Sequence, residues 1–232
     1  MAQANRPLLT LASLTLAGGL RYPSALGHLV RTAAVSAYLA NVLELADAEQ
    51  QQIYCVAPVH DVGKLGIPDA VLLKPAALTE DEHDIMRRHS SIGADLLAGS
   101  PEPVLQLAAS VARHHHEHFD GSGYPAGLAG EAVPLAARIV AVADAFDAMM
   151  EPRVYRKGMK EHDALGALAE RSGIYFDPSL VDVFLRHVPG VRRARAATDA
   201  LLAKYGEVSA VGRFFGGPEP VPAFFRHLQA LV

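Results

Sequence analysis

The stretch HHHEH, from His114 to His118, places four histidines within five residues, and a loop built from Asp, Gly, Ser, Tyr and Pro follows it. The chain has 11 histidines but a single cysteine, Cys55, so the sequence offers imidazole and carboxylate ligands without a thiolate cluster. Such ligands suit Fe, Mn, Ni, Co and Zn, and the general order of affinities does not choose among these metals. The sequence therefore predicts a transition-metal site.

Candidate metal ligands recur along the chain rather than in one motif. Five successive predicted helices each carry an imidazole or a carboxylate, in the order His28, His60 with Asp61, His89, His115 with His116, and Asp144. Side chains from different helices of a bundle can converge on metals in its core. We therefore expect an all-α helical bundle with a metal site in its core.

Adjacent residues on a straight helix point about 100° apart. His60 and Asp61 therefore bind most simply if Asp61 bridges two metals and His60 binds one of them. Two such ions would polarise a phosphate and supply a hydroxide nucleophile near neutral pH. Lys64, three residues after Asp61 and next to Gly63, could place a positive charge on a non-bridging phosphate oxygen.

A lone helical histidine is more often structural or exposed than metal-bound. We therefore predict no metal role for the histidines in polar or terminal settings, namely His83, His162, His187 and His227. Asp144 differs because it interrupts the apolar segment RIVAVADAFDAMM, and a buried carboxylate needs a partner. We expect Asp147, one turn later, to support a ligand or to cap a loop.

The pattern of apolar residues is helical along nearly the whole chain. Helices are predicted over Ser24–Leu45, Asp47–Asp61 with a kink at Pro58, Thr79–Gly99, Pro103–His115, from Pro134 through the apolar segment, His162–Arg171 and Pro178–Arg186, with two more after Pro189. Strand-like alternation is absent, with the Asp120 loop as the one place where a short extended pairing fits the sequence.

The composition excludes several classes of protein. Half of the 232 residues are hydrophobic, the net charge is −4, and no basic run suggests a partner of duplex nucleic acid. The segment Pro7–Leu20 is too short to span a bilayer; a buried helix fits it better than a signal peptide. One cysteine fits a reducing cytoplasm, so we expect a cytoplasmic protein with no membrane contact. The sequence is also compatible with an oligomer.

The motifs together resemble one family. HDVGK (His60–Lys64), HHE (His115–Glu117), DGSGYP (Asp120–Pro125) and ARIVAVADAFDAM resemble the HD-GYP branch of the HD-domain metal-dependent phosphohydrolases. The resemblance covers roughly residues 10 to 188 and includes IPD at 67–69, RVYRKG at 153–158 and FDPSLVDVF at 176–184. The interpreted organisation is an HD-GYP domain over residues 1–188 and a helical extension of unknown role over residues 189–232.

The resemblance implies a role for each motif residue. It selects His115 and His116 from the histidine run, leaves His114 outside the site, and makes the metal ligands His28, His60, Asp61, His89, His115, His116 and Asp144, with Asp61 bridging. It implies that Lys64 contacts phosphate, that Arg153 and Arg156 hold a substrate phosphate, and that Tyr124 holds the substrate. The Gly123–Tyr124–Pro125 loop could also contact other signalling domains.

Three departures from the family pattern qualify what it implies. Ser24 stands where some relatives have a Glu that helps to hold a third metal, so we expect two metals, with Fe or Mn favoured over Ni, Co or Zn. Pro58 precedes the His60–Asp61 pair, and its kink could shift both residues. The resemblance begins near Met1, so no receiver or sensory domain is expected ahead of it.

The function that this resemblance implies is hydrolysis of cyclic di-GMP, a bacterial second messenger, to linear pGpG and then in some relatives to GMP. The metal-bound hydroxide would be the nucleophile, and Asp61 and Lys64 the catalytic side chains. Two alternatives remain open on the sequence. One is a binding or signalling module that retains the fold with weak catalysis; the other is a phosphohydrolase of another nucleotide.

Overall fold

Helices form the regular structure in this computed structural model, which describes residues 6–21, 25–152 and 157–216. The α-helices are α1 (Arg6–Gly19), α2 (Ala25–Val42), α3 (Asp47–Val56), α4 (Asp69–Leu72), α5 (Glu80–Arg87), α6 (His89–Ala98), α7 (Pro103–His114), α8 (Leu135–Met150), α9 (Glu161–Glu170), α10 (Pro178–Arg186), α11 (Val188–Tyr205) and α12 (Glu207–Gly216). Short 3-10 helices cover Ala57–Val59, Val62–Gly66 and Gly130–Ala132. The predicted all-α fold is confirmed.

Extended pairing is confined, within the described ranges, to two isolated bridges. One joins Asp120 to Ala129 in antiparallel orientation and closes the loop that follows the histidine run. The other joins Ser172 to Phe176. The sequence allowed a short extended pairing in the Asp120 loop, and the structure has a single bridge there.

Helix α2 is the central element of the bundle. Every residue from Ala25 to Ala40 is buried, which fits a helix that is apolar on all sides and is packed by neighbours all round. Helices α3, α8 and α11 pack against it. Two side chains of α2 that can carry a charge, His28 and Arg31, are therefore carried into the interior of the protein, where a charge needs a partner.

The segment around Pro58 differs from the prediction of one kinked helix. Helix α3 ends at Val56, and Pro58 lies in the first turn of the 3-10 helix Ala57–Val59. Proline lacks a backbone N–H and crowds the preceding turn, so the α-helix ends here instead of bending. As a result His60 and Asp61 lie between two 3-10 helices and not on a straight α-helix.

The segment Thr79–Gly99, predicted as one helix, forms two helices, α5 and α6, with a break at Arg88. Thr79 caps the first of them, and Glu82 completes the predicted capping box. Helix α5 buries none of its residues, whereas α6 buries several, starting with His89. The break at Arg88 thus coincides with a change from an exposed helix to a buried one.

Both ends of the described chain pack onto the bundle. Helix α1 buries Leu11 and contacts α2 and α12, as the buried-helix reading of residues 7–20 predicts. Among the described residues, helices that combine the length and the apolar character needed to cross a bilayer are absent. Helix α11 packs along α2. The division into residues 1–188 and 189–232 stays a prediction, and residues 217–232, which include most of the last predicted helix, lie outside the described ranges.

Candidate metal centre

Groups of donor side chains meet in the core of the bundle, and two of these groups contain the residues predicted as metal ligands. The first donor set consists of Asp61, His89, His115 and His116, and the second donor set consists of His28, His60 and Asp144. Within each set the candidate ligand atoms all lie within 4.8 Å of one another. The structure thus brings together all seven residues that the resemblance implied as metal ligands.

Asp61 lies between the two sets. Its Oδ1 is 3.3 Å from Nε2 of His89 and 3.8 Å from Nε2 of His115, both in the first donor set. Its Oδ2 is 3.5 Å from Nε2 of His60, in the second donor set. One carboxylate therefore turns a different oxygen to each set, which is the arrangement that a bridging ligand requires.

The second donor set is built around Asp144 on α8. Its Oδ1 lies 3.0 Å from Nε2 of His28 and 3.5 Å from Nε2 of His60. His28 comes from α2, and His60 comes from the turn after Pro58. Three separate segments of the chain therefore contribute one donor each.

The histidine rings are held in the tautomer that binds metals. Nδ1 lies 2.7 Å from the Ala57 carbonyl oxygen in His60, 2.7 Å from that of Met86 in His89, and 2.9 Å from that of Ala112 in His115. A carbonyl only accepts, so each Nδ1 carries a proton, and in the neutral ring each Nε2 keeps its lone pair. Hydrogen bonding through the second ring nitrogen is typical of metal-ligating histidine.

The donors present fit divalent transition metals. Nε2 of His60 is a buried polar atom that lacks a hydrogen-bond partner within the described part of the protein. An unsatisfied buried group is costly, and a cation at the centre of the second donor set would satisfy it. Imidazoles with carboxylates and no thiolate suit Fe, Mn, Ni, Co or Zn, and leave the identity of the metal open.

Two histidines of the first donor set have pKa values that favour the neutral form. Burial lowers the pKa of His89 to about 4, despite the opposing charge of Asp61. Burial also lowers the pKa of His116 well below its usual value, and the neighbouring His115 and His89 add to this shift. Both imidazoles are therefore neutral near neutral pH, which is the form that binds metal.

His28 behaves differently because two carboxylates face it. Burial alone would lower its pKa, but the hydrogen bonds to Asp144 and Asp147 outweigh burial and raise the pKa to about 10. Asp144 has its pKa well below the usual value, since His28 and His60 outweigh the effect of burial. Without metal, the second donor set therefore exists as an ion pair between His28 and Asp144.

Lys64 lies beside the bridging carboxylate. Its Nζ contacts Oδ2 of Asp61, three residues earlier. Burial raises the pKa of Asp61, but Lys64 and then His60 outweigh it, so that the pKa lies well below the usual value. Lys64 is partly exposed, so its ammonium group lies between the buried donors and solvent.

Gly63 fixes the spacing between two ligand-bearing segments. A Cβ at this position would lie 1.8 Å from the backbone oxygen of His89 and 2.4 Å from the backbone nitrogen of Gly93. The turn that carries His60 and Asp61 is thus in direct backbone contact with the start of α6. Only a residue without a side chain allows this approach.

The Gly-Tyr-Pro loop, residues 123–125, is attached to the end of the histidine run. A Cβ on Gly123 would lie 2.1 Å from the backbone nitrogen of His118, so the loop runs directly along this backbone. The backbone N–H of Tyr124 donates to the carbonyl of His116 at 3.1 Å, and the rings of these two residues stack with centroids 4.9 Å apart. Tyr124 therefore packs on a member of the first donor set.

Some predicted residues stay outside both donor sets. Nδ1 of His114 bonds to the carbonyl of Ser110 at 2.9 Å, and its ring belongs to neither set, as the resemblance implied. Arg153 and Arg156, predicted to hold substrate phosphate, lie outside the described residues. So does Ser24, on which the expectation of two metals rests.

Other polar residues around the site were not identified from the sequence. The buried carboxylate of Glu117 accepts from the backbone N–H groups of Ala126 (2.8 Å) and Leu128 (3.0 Å), so it anchors the far side of the loop. Arg31 and Arg195 both donate to Asp147. For Arg31 the signal was available, because an arginine inside the apolar segment ALGHLVRTAAV needs a buried carboxylate. For Arg195 no local signal exists.

Comparison with known proteins agrees with this geometry. A family-wide sequence model described as an HD domain matches residues 19–180. The cyclic di-GMP phosphodiesterase response regulator RpfG of Xanthomonas campestris pv. campestris (strain 8004) is 44% identical over 201 residues, which are 87% of this chain and 51% of that protein. The 3'3'-cGAMP-specific phosphodiesterase 2 of Vibrio cholerae serotype O1 is 39% identical over 160 residues, 69% of this chain and 31% of that protein.

A similar fold is also found among solved structures. The crystal structure of a cyclic GMP-AMP specific phosphodiesterase of V. cholerae, V-cGAP3, superposes with a TM-score of 0.56 at 21% sequence identity. The superposition covers 90% of this chain and 61% of that one. The chain spans about half or less of the length of the two curated relatives described above.

Proposed function

The chain belongs to the HD-domain family, in its HD-GYP branch, and on that premise we propose that it is a metal-dependent phosphodiesterase that hydrolyses cyclic di-GMP. The observation that carries the proposal is the position of Asp61, with one carboxylate oxygen toward His89 and His115 and the other toward His60. A site for two adjacent metals is the form that phosphodiester hydrolysis uses.

The seven donors would hold two divalent transition metals, Fe or Mn in the first instance, with Ni, Co or Zn also compatible with the ligands. When bound, such a pair polarises a phosphodiester and lowers the pKa of water enough to provide a nucleophile near neutral pH. Asp61, held by Lys64, fixes the spacing of the two donor sets. The rings of His60, His89 and His115 cannot turn away without breaking their bonds to the backbone.

Lys64 has the position of a group that stabilises charge on the substrate. Its ammonium group contacts Asp61 and is partly exposed, so a phosphate oxygen at the metal centre would lie within its reach. A preorganised cation of this kind acts most strongly where negative charge develops in the transition state. We therefore assign catalytic roles to Asp61 and Lys64, and substrate contact to Lys64, Tyr124, Arg153 and Arg156.

Linear pGpG is the expected product, because the resemblance implies that two metals go with cleavage to the linear dinucleotide, and we expect two metals in this chain. A third cluster of donors, His28, Asp147 and Glu151, lies next to the second donor set. Arg31 donates to both carboxylates of this cluster, so the chain itself provides the positive charge there. Two metals with pGpG as product, rather than three metals with GMP, form the narrower part of the proposal.

A hybrid cyclic dinucleotide is the second candidate substrate. It is favoured by the likeness to the 3'3'-cGAMP-specific phosphodiesterase 2 of V. cholerae, at 39% identity against 44% for RpfG. The contact between the loop at residues 123–125 and other signalling domains stays a prediction, as do the bacterial cytoplasmic location and any oligomer.

The test combines metal content with turnover on one sample of the full chain, purified without chelators. We expect about two transition metals per chain and conversion of cyclic di-GMP to linear pGpG. Asp61→Ala should lose both metals and turnover, since it removes the shared ligand. Metal-loaded protein that left cyclic di-GMP intact but cleaved 3'3'-cGAMP would select the second substrate. Turnover of neither would indicate a binding module or another nucleotide substrate.

A further inference from the structure

Asp147 is the residue through which a distant helix contacts the metal centre. Its side chain is completely buried in α8, one turn after Asp144. Oδ2 lies 2.9 Å from Nδ1 of His28, and Oδ1 lies 2.8 Å from Nε of Arg195. Nε of Arg31 is 3.0 and 3.1 Å from the two oxygens. Three donors thus fix one carboxylate in position.

The orientation of this carboxylate determines which ring nitrogen of His28 faces the second donor set. Because Nδ1 of His28 donates a hydrogen bond to Asp147, Nε2 of the same ring is the atom directed at Asp144 in the second donor set. A carboxylate bonded to the far nitrogen of a metal-ligating histidine fixes the orientation of the ring and increases its basicity. Any group that holds Asp147 in place therefore acts on the metal through His28.

Arg195 belongs to α11, which lies beyond residues 19–180, the part of the chain matched by the family-wide sequence model. The same helix provides Asp199, 3.3 Å from a terminal nitrogen of Arg31, so α11 contacts Arg31 as well as Asp147. Its position against α2 is tight, since a Cβ on Gly190 would lie 1.9 Å from Oη of Tyr38. The first turn of α11 is thus packed closely against α2.

We propose that Arg195 is a positioning residue of the metal centre, by which the C-terminal helix α11 holds Asp147 and thereby orients His28 toward the second metal. The inference rests on the proposed two-metal site. It gives a role to part of residues 189–232, the segment for which the sequence suggested none. Among the described residues, Arg195 bonds to Asp147, which belongs to neither the first nor the second donor set, and it acts through that carboxylate.

Burial makes the contribution of Arg195 specific. Its side chain is only 17% exposed, and its guanidinium also lies over the ring of Phe146, 5.6 Å from the centroid. An arginine on the same helix, Arg192, instead pairs with Glu161 at the surface. The two residues are three positions apart and carry the same charge, so Arg192 is a matched control for general effects of charge on α11.

The experiment measures metal affinity on the full chain, by competition with a chromophoric chelator, for Arg195→Gln, Arg195→Lys and Arg192→Gln. Loss of a residue that supports a ligand typically costs about 10–100-fold in metal affinity. We expect Arg195→Gln to weaken one of the two metals by about 10-fold and to leave the other unchanged. Arg195→Lys should restore part of the loss, because an ammonium keeps the charge without the planar fork. Arg192→Gln should bind both metals like the unchanged chain.

Two further results separate positioning from a structural role. In a His28→Ala background, Arg195→Gln should have no additional effect on metal affinity, because the ligand through which it acts is gone. The stabilisation that metal gives against thermal unfolding should fall in Arg195→Gln, whatever the change in the metal-free protein.

Equal affinities in Arg195→Gln and the unchanged chain would overturn the positioning role, while loss of both metals in Asp61→Ala would still support the metal site. Equal weakening in Arg192→Gln would also overturn it. A chain that bound no metal at all would instead remove the proposed function on which the inference rests.

Discussion

The Nε2 atoms of His89 and His115 lie 3.3 Å apart, although 26 positions separate the residues in the sequence. Both rings carry their proton on Nδ1, where a backbone carbonyl accepts it. Two lone pairs therefore face each other beside the carboxylate of Asp61. Such an arrangement is unfavourable by itself and becomes favourable with a cation among the three groups, which makes the first donor set the clearest metal site in the structure.

Each donor set should lose its own metal when one histidine is removed. We expect His115→Ala to bind about one metal fewer per chain through loss from the first donor set, and His28→Ala to lose the metal of the second. Metal per chain, measured by mass spectrometry, checks this. His114→Ala is the control, since its ring bonds to the Ser110 carbonyl and lies in neither set. Retention of both metals in His115→Ala, or loss of one in His114→Ala, would contradict the assignment.

Lys64→Gln should separate catalysis from metal binding. The substitution removes the ammonium group beside Asp61 but no metal ligand, so the metal content should remain about two per chain. Turnover should fall by about 100-fold or more, as for other groups that stabilise charge in the transition state. Steady-state kinetics and metal analysis on one sample check both statements. Lys204→Gln, which removes a surface lysine beside Tyr205, should be unchanged in both.

Gly123→Ala should displace the loop that carries Tyr124. The new Cβ would overlap the backbone at His118, so the loop must shift, at a cost of about 1–3 kcal/mol in the free energy of unfolding. Because the ring of Tyr124 then leaves His116, we expect KM for the substrate to rise while both metals are retained. Gly166→Ala is the matched control, since a Cβ there meets no atom within 4 Å. Equal KM values for the two variants would refute the role of this loop in binding substrate.

Asp177 should contribute stability that depends on pH. It caps α10 by accepting from the backbone N–H of Ser179 at 2.9 Å, and it pairs with Arg138. Burial raises its pKa, but Ser179 and Arg138 outweigh burial and lower the pKa below its usual value. A carboxyl whose pKa is lower in the folded state stabilises the fold above its unfolded pKa, about 3.9, and this contribution is lost as the pH falls through the folded pKa.

Asp177→Asn keeps a side-chain acceptor for the cap but removes the charge that pairs with Arg138. We expect a loss of about 1–3 kcal/mol in the free energy of unfolding at about pH 7, and a smaller difference from the unchanged chain at about pH 3. Urea denaturation at both pH values gives the comparison. A difference of the same size at both would show that the ionised carboxylate is not the source of the stabilisation.

The sequence was sufficient for the helical bundle and for the set of residues that meet in its core. His60, Asp61 and His115 could be identified because they lie at the ends of predicted helices, and Asp144 because it interrupts an apolar one. The motifs around all four also resemble one family. The break at Arg88 could not be predicted, since the local sequence is compatible with one continuous helix and the change in burial from α5 to α6 depends on contacts with distant residues.

The helix end before Pro58 was also interpreted wrongly, as a kink. Local sequence allows both outcomes, and the hydrogen bond from His60 to the Ala57 carbonyl favours the turn. The role of Arg195 was beyond prediction for a different reason. The contact with Asp147 joins residues 48 positions apart, and nothing in the sequence near either residue indicates that they meet.

The contact of Gly63 with the start of α6 has a consequence for the choice of ion. It sets the distance between the segment that bears Asp61 and the segment that bears His89 by backbone atoms, and not by side chains that can adjust their rotamers. Side-chain rotamers can therefore adjust the space between these donors only within the limit that the two backbones set. An ion too large for that limit would have to move two pieces of main chain apart, so the fold restricts the size of the ion.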